Sequence, residues 1–227
     1  MKNASIDRRT VLSGLAGAAT VALAGCGALG SANSDDTVLA PPENYDALQD
    51  VDPGYPFHGE ELPGVTVEAP LRDRTVSTRE FVGERHVLTT FVYTRCGSVC
   101  PALPANLVQV QADAVTRGYE NDVALLATTF DPEYDTTDRL EDFGRDRGAA
   151  VDADNWYFLR PESEARVREV VVEAFGHPFQ ENDGPGMPFI HNPLLVLAND
   201  RGYVERAYAN EVPDPSTVLE DVRTVVG

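Results

Sequence analysis

Val87-Leu-Thr-Thr-Phe-Val-Tyr93-Thr-Arg-Cys96-Gly-Ser-Val-Cys100-Pro101-Ala-Leu103 begins as a continuous apolar and β-branched run and breaks into two cysteines and a proline. Such a run is the pattern of a strand buried on both faces of a sheet. Beyond it, Leu103, Leu107, Val110 and Ala114 recur at helical spacing. Pro101 suits a first helical position, where its missing N–H would have had no partner. The stretch therefore reads as strand, loop and helix, with Cys96 and Cys100 at the junction. Unpaired N–H groups of a helix's first turn, together with its dipole, stabilise a thiolate, which makes the pair reactive and ligand-competent. Four positions apart, the two sulfurs can converge on one ion or on each other.

Outward from this junction, strand-like and helix-like segments alternate. Val65 to Glu68, Val123 to Thr129 and Trp156 to Leu159 read as strands. Thr136 caps a helix through Arg147, and a second helix runs from Glu162 to Phe175, ended by Gly176. Ile190 to Leu197 and Tyr203 to Tyr208 flank Asn199-Asp200-Arg201-Gly202, a turn signature between strands, and a helix from about Asp214 to Val226 closes the chain. This alternation predicts an α/β fold, a central sheet flanked by helices in three layers.

The N-terminus reads differently. Arg8-Arg9 precede a short apolar run ending at Leu23-Ala24-Gly25-Cys26. The run is too short for a spanning helix, which needs roughly 20 residues, and has the form of an export signal of the twin-arginine kind. Residues 1–25 are expected to be the signal, and Leu23-Ala24-Gly25-Cys26 resembles a lipobox in which Cys26 becomes the lipid-modified first residue. Residues 26–54, rich in Ser, Asn, Asp, Pro and Ala, are expected to form a flexible tether, and residues 55–227 the folded domain. The chain of 227 residues carries 37 acidic against 18 basic side chains, a net charge of -19, and Lys2 is its sole lysine. That balance excludes a protein held to nucleic acid by phosphate contacts. Carboxylate-rich, lysine-poor surfaces resemble those of halophilic microorganisms, because salt screens the self-repulsion of such a surface.

Three readings of Cys96 and Cys100 stand at this point: a structural disulfide, a redox dithiol and a metal site. The disulfide would close so short a loop that its entropic stabilisation is small. Of the four histidines, His58 lies in an N-terminal segment, His86 follows Glu84 and Arg85 in a turn, and His177 sits just past a helix end beside Pro178. His191, in Met187-Pro-Phe-Ile-His191-Asn192-Pro193, is placed at the start of a buried strand, where a sheet presents residues to the edge that holds a strand-helix junction. It is the histidine expected to face the cysteines.

Three blocks together resemble the Sco/SenC family of copper-binding, thioredoxin-like proteins. They are Phe-Val-Tyr-Thr-Arg-Cys96-Gly-Ser-Val-Cys100-Pro101, then Thr-Phe-Asp131-Pro132-Glu-Tyr-Asp135-Thr, then the late His191. The resemblance spans roughly His58 to Tyr208 and implies a thioredoxin-like fold with a central mixed sheet. It also implies one copper ion bound by Cys96, Cys100 and His191, and delivery of copper to the dinuclear copper centre of cytochrome c oxidase from a lipid anchor on the outer face of the membrane. Soft thiolates suit Cu(I), and an added imidazole lets Cu(II) be held too; zinc, with a water, fits the same three groups. Asp131 and Asp135 are candidates for orienting the ligands or meeting a partner, or else for helix capping. Gly97 and Asn192-Pro193 depart from the family pattern without removing a ligand, and Pro193 is a candidate for the cis-proline that thioredoxin-like folds place opposite the cysteines. Two other functions use the same pair. One is a thiol-disulfide oxidoreductase or peroxidase with Cys96 as nucleophile and Cys100 as resolving thiol, and the other a copper or redox sensor acting through a partner.

Overall fold

β3 (His86–Val92) lies at the centre of the molecule because its alternate residues serve two cores at once. The computed structural model describes residues 36–95, 102–182 and 188–227; the expected signal, Cys26, Cys96, Cys100 and Pro101 lie outside the described residues. In chain order the elements before the centre are α1 (Tyr45–Asp50), β1 (Thr66–Ala69), a 3-10 turn (Pro70–Arg72) and β2 (Arg74–Ser77). After β3 come α2 (Ala102–Arg117), β4 (Val123–Thr129), α3 (Thr137–Asp146), β5 (Trp156–Leu159) and α4 (Glu164–Val167), the last continuing as a π-helical segment, Arg168–Ala174. β6 (Phe179–Glu181), β7 (Phe189–His191), β8 (Leu194–Ala198), β9 (Val204–Ala209) and α5 (Pro215–Val226) complete the chain.

Five strands form one mixed sheet in the order β5-β4-β3-β8-β9. β3, β4 and β5 run parallel, with Val87 opposite Ala124 and Leu125 opposite Trp156. β8 runs antiparallel to β3, and β9 returns antiparallel to β8. Because side chains alternate across a strand, Leu88, Leu125, Phe158 and Leu197 face one core, roofed by Leu107 of α2, Leu140 of α3 and Val222 of α5. Val87, Leu126, Tyr157 and Val196 face the other, roofed by Val167, Val170 and Val171 of the α4 region and by Val67 and Val76 of the β1-β2 hairpin. The expected three-layer α/β arrangement, a mixed sheet flanked by helices, is what forms.

Several expected elements differ in detail. Thr136 caps α3 through its hydroxyl, which accepts the Arg139 N–H, and Asp214 caps α5, so Asp131 and Asp135 cap neither helix. The segment read as one strand over Ile190 to Leu197 is two, interrupted at Asn192-Pro193 because proline cannot donate to a ladder. His191 therefore ends the short β7, which among the described residues pairs with β6, instead of opening a buried strand. The helix expected from Glu162 begins at Glu164 behind the cap Ser163 and widens to π geometry at Arg168.

The expected tether also needs correction in its second half. Residues 36–39 lie on the body: Leu39 is buried in the core, and the Val38 and Leu39 N–H groups donate to the Glu205 carboxylate at 2.8 to 2.9 Å. A buried carboxylate needs donors, and this segment supplies them from 166 residues away. Six further residues of the expected tether form α1.

Candidate metal centre

Strands β3 and β4 both end, side by side, at Val92 and Thr129, and the residues that follow them build one polar mouth. Thr94 and Arg95, the last described residues before Cys96, are each held by a carboxylate from the β4-α3 loop. Asp135, fully buried, accepts the Thr94 N–H at 3.1 Å and the hydroxyls of Thr94 and Thr129. Burial pushes its carboxyl above the ordinary value, and the hydrogen bonds from Thr129 and Thr94 oppose that shift. Asp131 meets Arg95 in a two-point pair, with Nε to Oδ2 at 2.6 Å and Nη2 to Oδ1 at 3.2 Å. The Arg95 guanidinium also lies 4.9 Å from the Tyr134 ring centre and 5.5 Å from that of Phe189, within cation-π range. The Asp-Pro-x-x-Asp sequence thus fixes the chain leading into the cysteines.

His191 arrives from the other side on the β6-β7 ribbon. Its ring centre is 5.8 Å from Tyr93 and 5.0 Å from Phe130. Burial lowers its pKa, against a hydrogen bond from Nδ1 to the Asn192 carbonyl at 3.1 Å that raises it. A carbonyl only accepts, so Nδ1 carries the hydrogen in that bond and Nε2 presents the lone pair, the tautomer a metal ligand requires.

His177 is the residue that sequence reasoning passed over. The helical segment before it ends at Gly176, whose φ of +57° and close approach to the Gly54 carbonyl leave no room for a Cβ. The His177 N–H then returns to the Val171 carbonyl at 2.9 Å, and the side chain turns inward. Its ring stacks on Phe91 with centres 4.8 Å apart and stands edge-on to His191 at 5.4 Å. Desolvation, with a smaller contribution from His191, pushes its pKa down to about 3. No local signal in the sequence marks it, because its neighbourhood is set by the pairing of the β6-β7 ribbon. Phe179 pairs with His191, so a residue two positions before Phe179 lies beside the end of β7.

The structure thus brings His191, Asp131 and Asp135 to the same end of the sheet as Tyr93, Thr94 and Arg95. It places His58 and His86 at the opposite end, where His58 Nδ1 donates to the Glu205 carbonyl at 2.9 Å and His86 Nδ1 accepts the Asp200 N–H at 3.0 Å. Among the described residues no group of three His, Cys, Asp or Glu side chains is placed to hold a metal. An open groove of about 1040 Å³, lined by Arg95, Phe130, Asp131, Phe179 and Phe189 among others, runs beside the mouth.

Comparison with known proteins gives a consistent result. The SCO1/SenC family profile matches residues 71–227. A SCO1 protein homolog of Bacillus subtilis (strain 168) is 25% identical over 152 residues, covering 66% of this chain and 76% of its own length. Among solved structures, BsSco, a member of the Sco family of cytochrome c oxidase assembly proteins in which a disulfide switch has been identified, superposes with a TM-score of 0.61 at 23% identity, over 75% of this chain and 95% of its own. Arabidopsis thaliana ScoI with copper bound superposes with a TM-score of 0.55 at 14% identity, over 73% and 96%. The fold is that of these thioredoxin-like proteins.

Proposed function

The chain belongs to the SCO1/SenC family, and from that premise we propose that it is a membrane-tethered copper metallochaperone whose cargo is held by Cys96, Cys100 and His191. The observation that carries this reading is the position of His191, its ring against Tyr93, three residues before Cys96, in the tautomer that leaves Nε2 its lone pair. Two thiolates and a neutral imidazole are a donor set that accepts copper in both oxidation states and disfavours hard, oxygen-seeking ions. Copper bound to Arabidopsis ScoI supports the choice of metal over zinc.

Asp131 and Asp135 act in this reading by fixing Arg95 and Thr94, the residues that lead into Cys96. The client is the copper centre of cytochrome c oxidase, a reading supported by the description of BsSco as an oxidase assembly protein. Cys26 carries the lipid anchor after removal of residues 1–25. No described helix is long and apolar enough to cross a membrane. The acidic, lysine-poor composition supports a protein of a saline habitat.

Competition titrations of the reduced protein test the ligand set. His191→Ala is expected to weaken Cu(II) far more than Cu(I), because two thiolates alone still satisfy the softer ion. Retention of full Cu(II) affinity would remove His191 from the site.

The disulfide switch of BsSco favours a second reading, in which Cys96 and Cys100 exchange two electrons and two protons with a client disulfide. Rapid turnover of a mixed disulfide by the metal-free protein, undiminished in His191→Ala, would favour it over copper delivery.

A further inference from the structure

His191 Nδ1 donates to the Asn192 carbonyl at 3.1 Å, so the direction of that carbonyl bears on which ring nitrogen carries the hydrogen. Asn192 and Pro193 link β7 to β8, and Pro193 brings no N–H with which to fasten the link. The fastening comes from the end of β9. Asn210, the residue after that strand, donates its N–H to the Pro193 carbonyl at 3.1 Å, and its Oδ1 accepts the Asn192 side-chain amide at 3.2 Å. Its backbone does so at φ +70°, and Asn210 is one of two non-glycine residues with a positive φ among the described residues. Glycine would take that conformation without steric cost. Asparagine tolerates it and adds what glycine lacks, a side chain that reaches Asn192.

Resting on the copper reading above, we propose that Asn210 is a positioning residue for His191: through the Asn192 amide it holds the link whose carbonyl keeps the hydrogen on Nδ1, so that Nε2 is the nitrogen turned to the metal. Histidine ligands are commonly oriented in this way, by a carbonyl bound to the second ring nitrogen. Here the carbonyl is itself held, from a residue 18 positions along the chain. His191 sits on the two-stranded β6-β7 ribbon, outside the five-stranded sheet to which β9 belongs, so Asn210 ties the ligand-bearing ribbon to the central sheet. The Tyr93 and Phe130 rings confine the imidazole by contact. The Tyr93 hydroxyl is directed to the Phe189 carbonyl at 3.4 Å, and the Asn192 carbonyl supplies the direction.

The imidazole ¹⁵N shifts of His191 in the metal-free protein report its tautomer, and competition titration with Cu(II) reports affinity. Asn210→Gly removes the side chain and the backbone strain together, so its midpoint in urea is expected to be no lower than that of the wild type. Its His191 is nevertheless expected to populate the tautomer with hydrogen on Nε2, and Cu(II) affinity to fall about tenfold, as when a group that orients a ligand is lost. Asn210→Asp, which keeps the Oδ1 acceptor and tolerates the same φ, is expected to restore both. Asn192→Ala removes the other end of the same bond and repeats the test should Asn210→Gly fold poorly. An unchanged tautomer in Asn210→Gly, with Cu(II) affinity equal to that of the wild type or lowered without it, would overturn the positioning role and leave the copper reading in place. A tautomer shift in Asn210→Gly when the wild type binds no Cu(II) would overturn the copper reading and still support Asn210 as the residue that orients the ring.

Discussion

At the end of the sheet where β3 begins, His58, His86, Asn199 and Glu205 are closed into hydrogen bonds with one another and with the backbone, whereas at the end where β3 finishes, His177 keeps a buried nitrogen unpaired. The Asn199 amide shows how complete the first arrangement is. Its NH₂ donates to Glu205 and to the Asp36 carbonyl, and its oxygen accepts from the Arg201 and Tyr203 N–H groups. His58 likewise has both ring nitrogens engaged, by the Glu205 carbonyl and the Thr37 hydroxyl. The same residue types thus stand in two settings: Asn199 and His58 have partners on their side-chain polar atoms, whereas Nε2 of His177 is buried without one.

The contrast is most exposed to test at the two buried carboxylates. Glu205→Ala strips the acceptor from the Val38 and Leu39 N–H groups and from Asn199, and is expected to cost roughly 3 to 4 kcal/mol in denaturant unfolding, since each donor left buried and unpaired costs on the order of 1 kcal/mol or more. Hydrogen exchange at Val38 and Leu39 should accelerate, and copper affinity should stay unchanged; a parallel loss of copper affinity would mean that the two ends are coupled.

Asp135→Asn works in the opposite sense. Loss of the charge that gathers Thr94 and Thr129 is expected to cost about 1 to 2 kcal/mol and to lower copper affinity about tenfold or more, because a group that fixes the approach to the ligands is disturbed. Equilibrium unfolding and copper competition on the same variant separate the two effects. Copper affinity equal to that of the wild type would make Asp135 a purely structural group.

The smallest effect belongs to His86. Burial lowers its pKa below the ordinary 6.5, and its Nδ1 accepts a backbone N–H, so the folded state prefers the neutral ring. In acid the unfolded chain takes up the proton first, and stability present above pH 6.5 is lost as pH falls below it. His86→Gln, which keeps an acceptor that does not titrate, is expected to flatten that part of the stability profile measured by urea unfolding.

The anchored end and the candidate centre were not equally legible in the sequence. β4 and β5 match their expected limits because an unbroken apolar run has one physical reading when both faces are covered, and Asn199-Asp200-Arg201-Gly202 marks its hairpin because Gly202 adopts φ +85°. The β6-β7 ribbon escapes notice since Phe179-Gln-Glu181 is short and mostly exposed, and its register, which sets Phe179 against His191, is a tertiary outcome. His177 is hidden for the same reason: its neighbourhood is decided by that pairing and by the fit of Gly176 against Gly54, neither of which leaves a local pattern. The docking of residues 36–39 depends on Glu205, far along the chain, so composition alone reads the segment as tether. Asp131 and Asp135 were visible as a motif, while the groups they hold, Arg95 and Thr94, became visible only with the end of β4 lying beside that of β3.

The central claim is that Cys96 and Cys100 bind copper together with His191, and titration of the reduced protein with Cu(II), followed by visible absorption, tests it most directly. A thiolate-to-Cu(II) charge-transfer band saturating at about one equivalent and abolished in a Cys96→Ser, Cys100→Ser double variant is the expected result, since only a bound thiolate produces it. A copper spectrum without that band, or one unchanged by the double substitution, would contradict it.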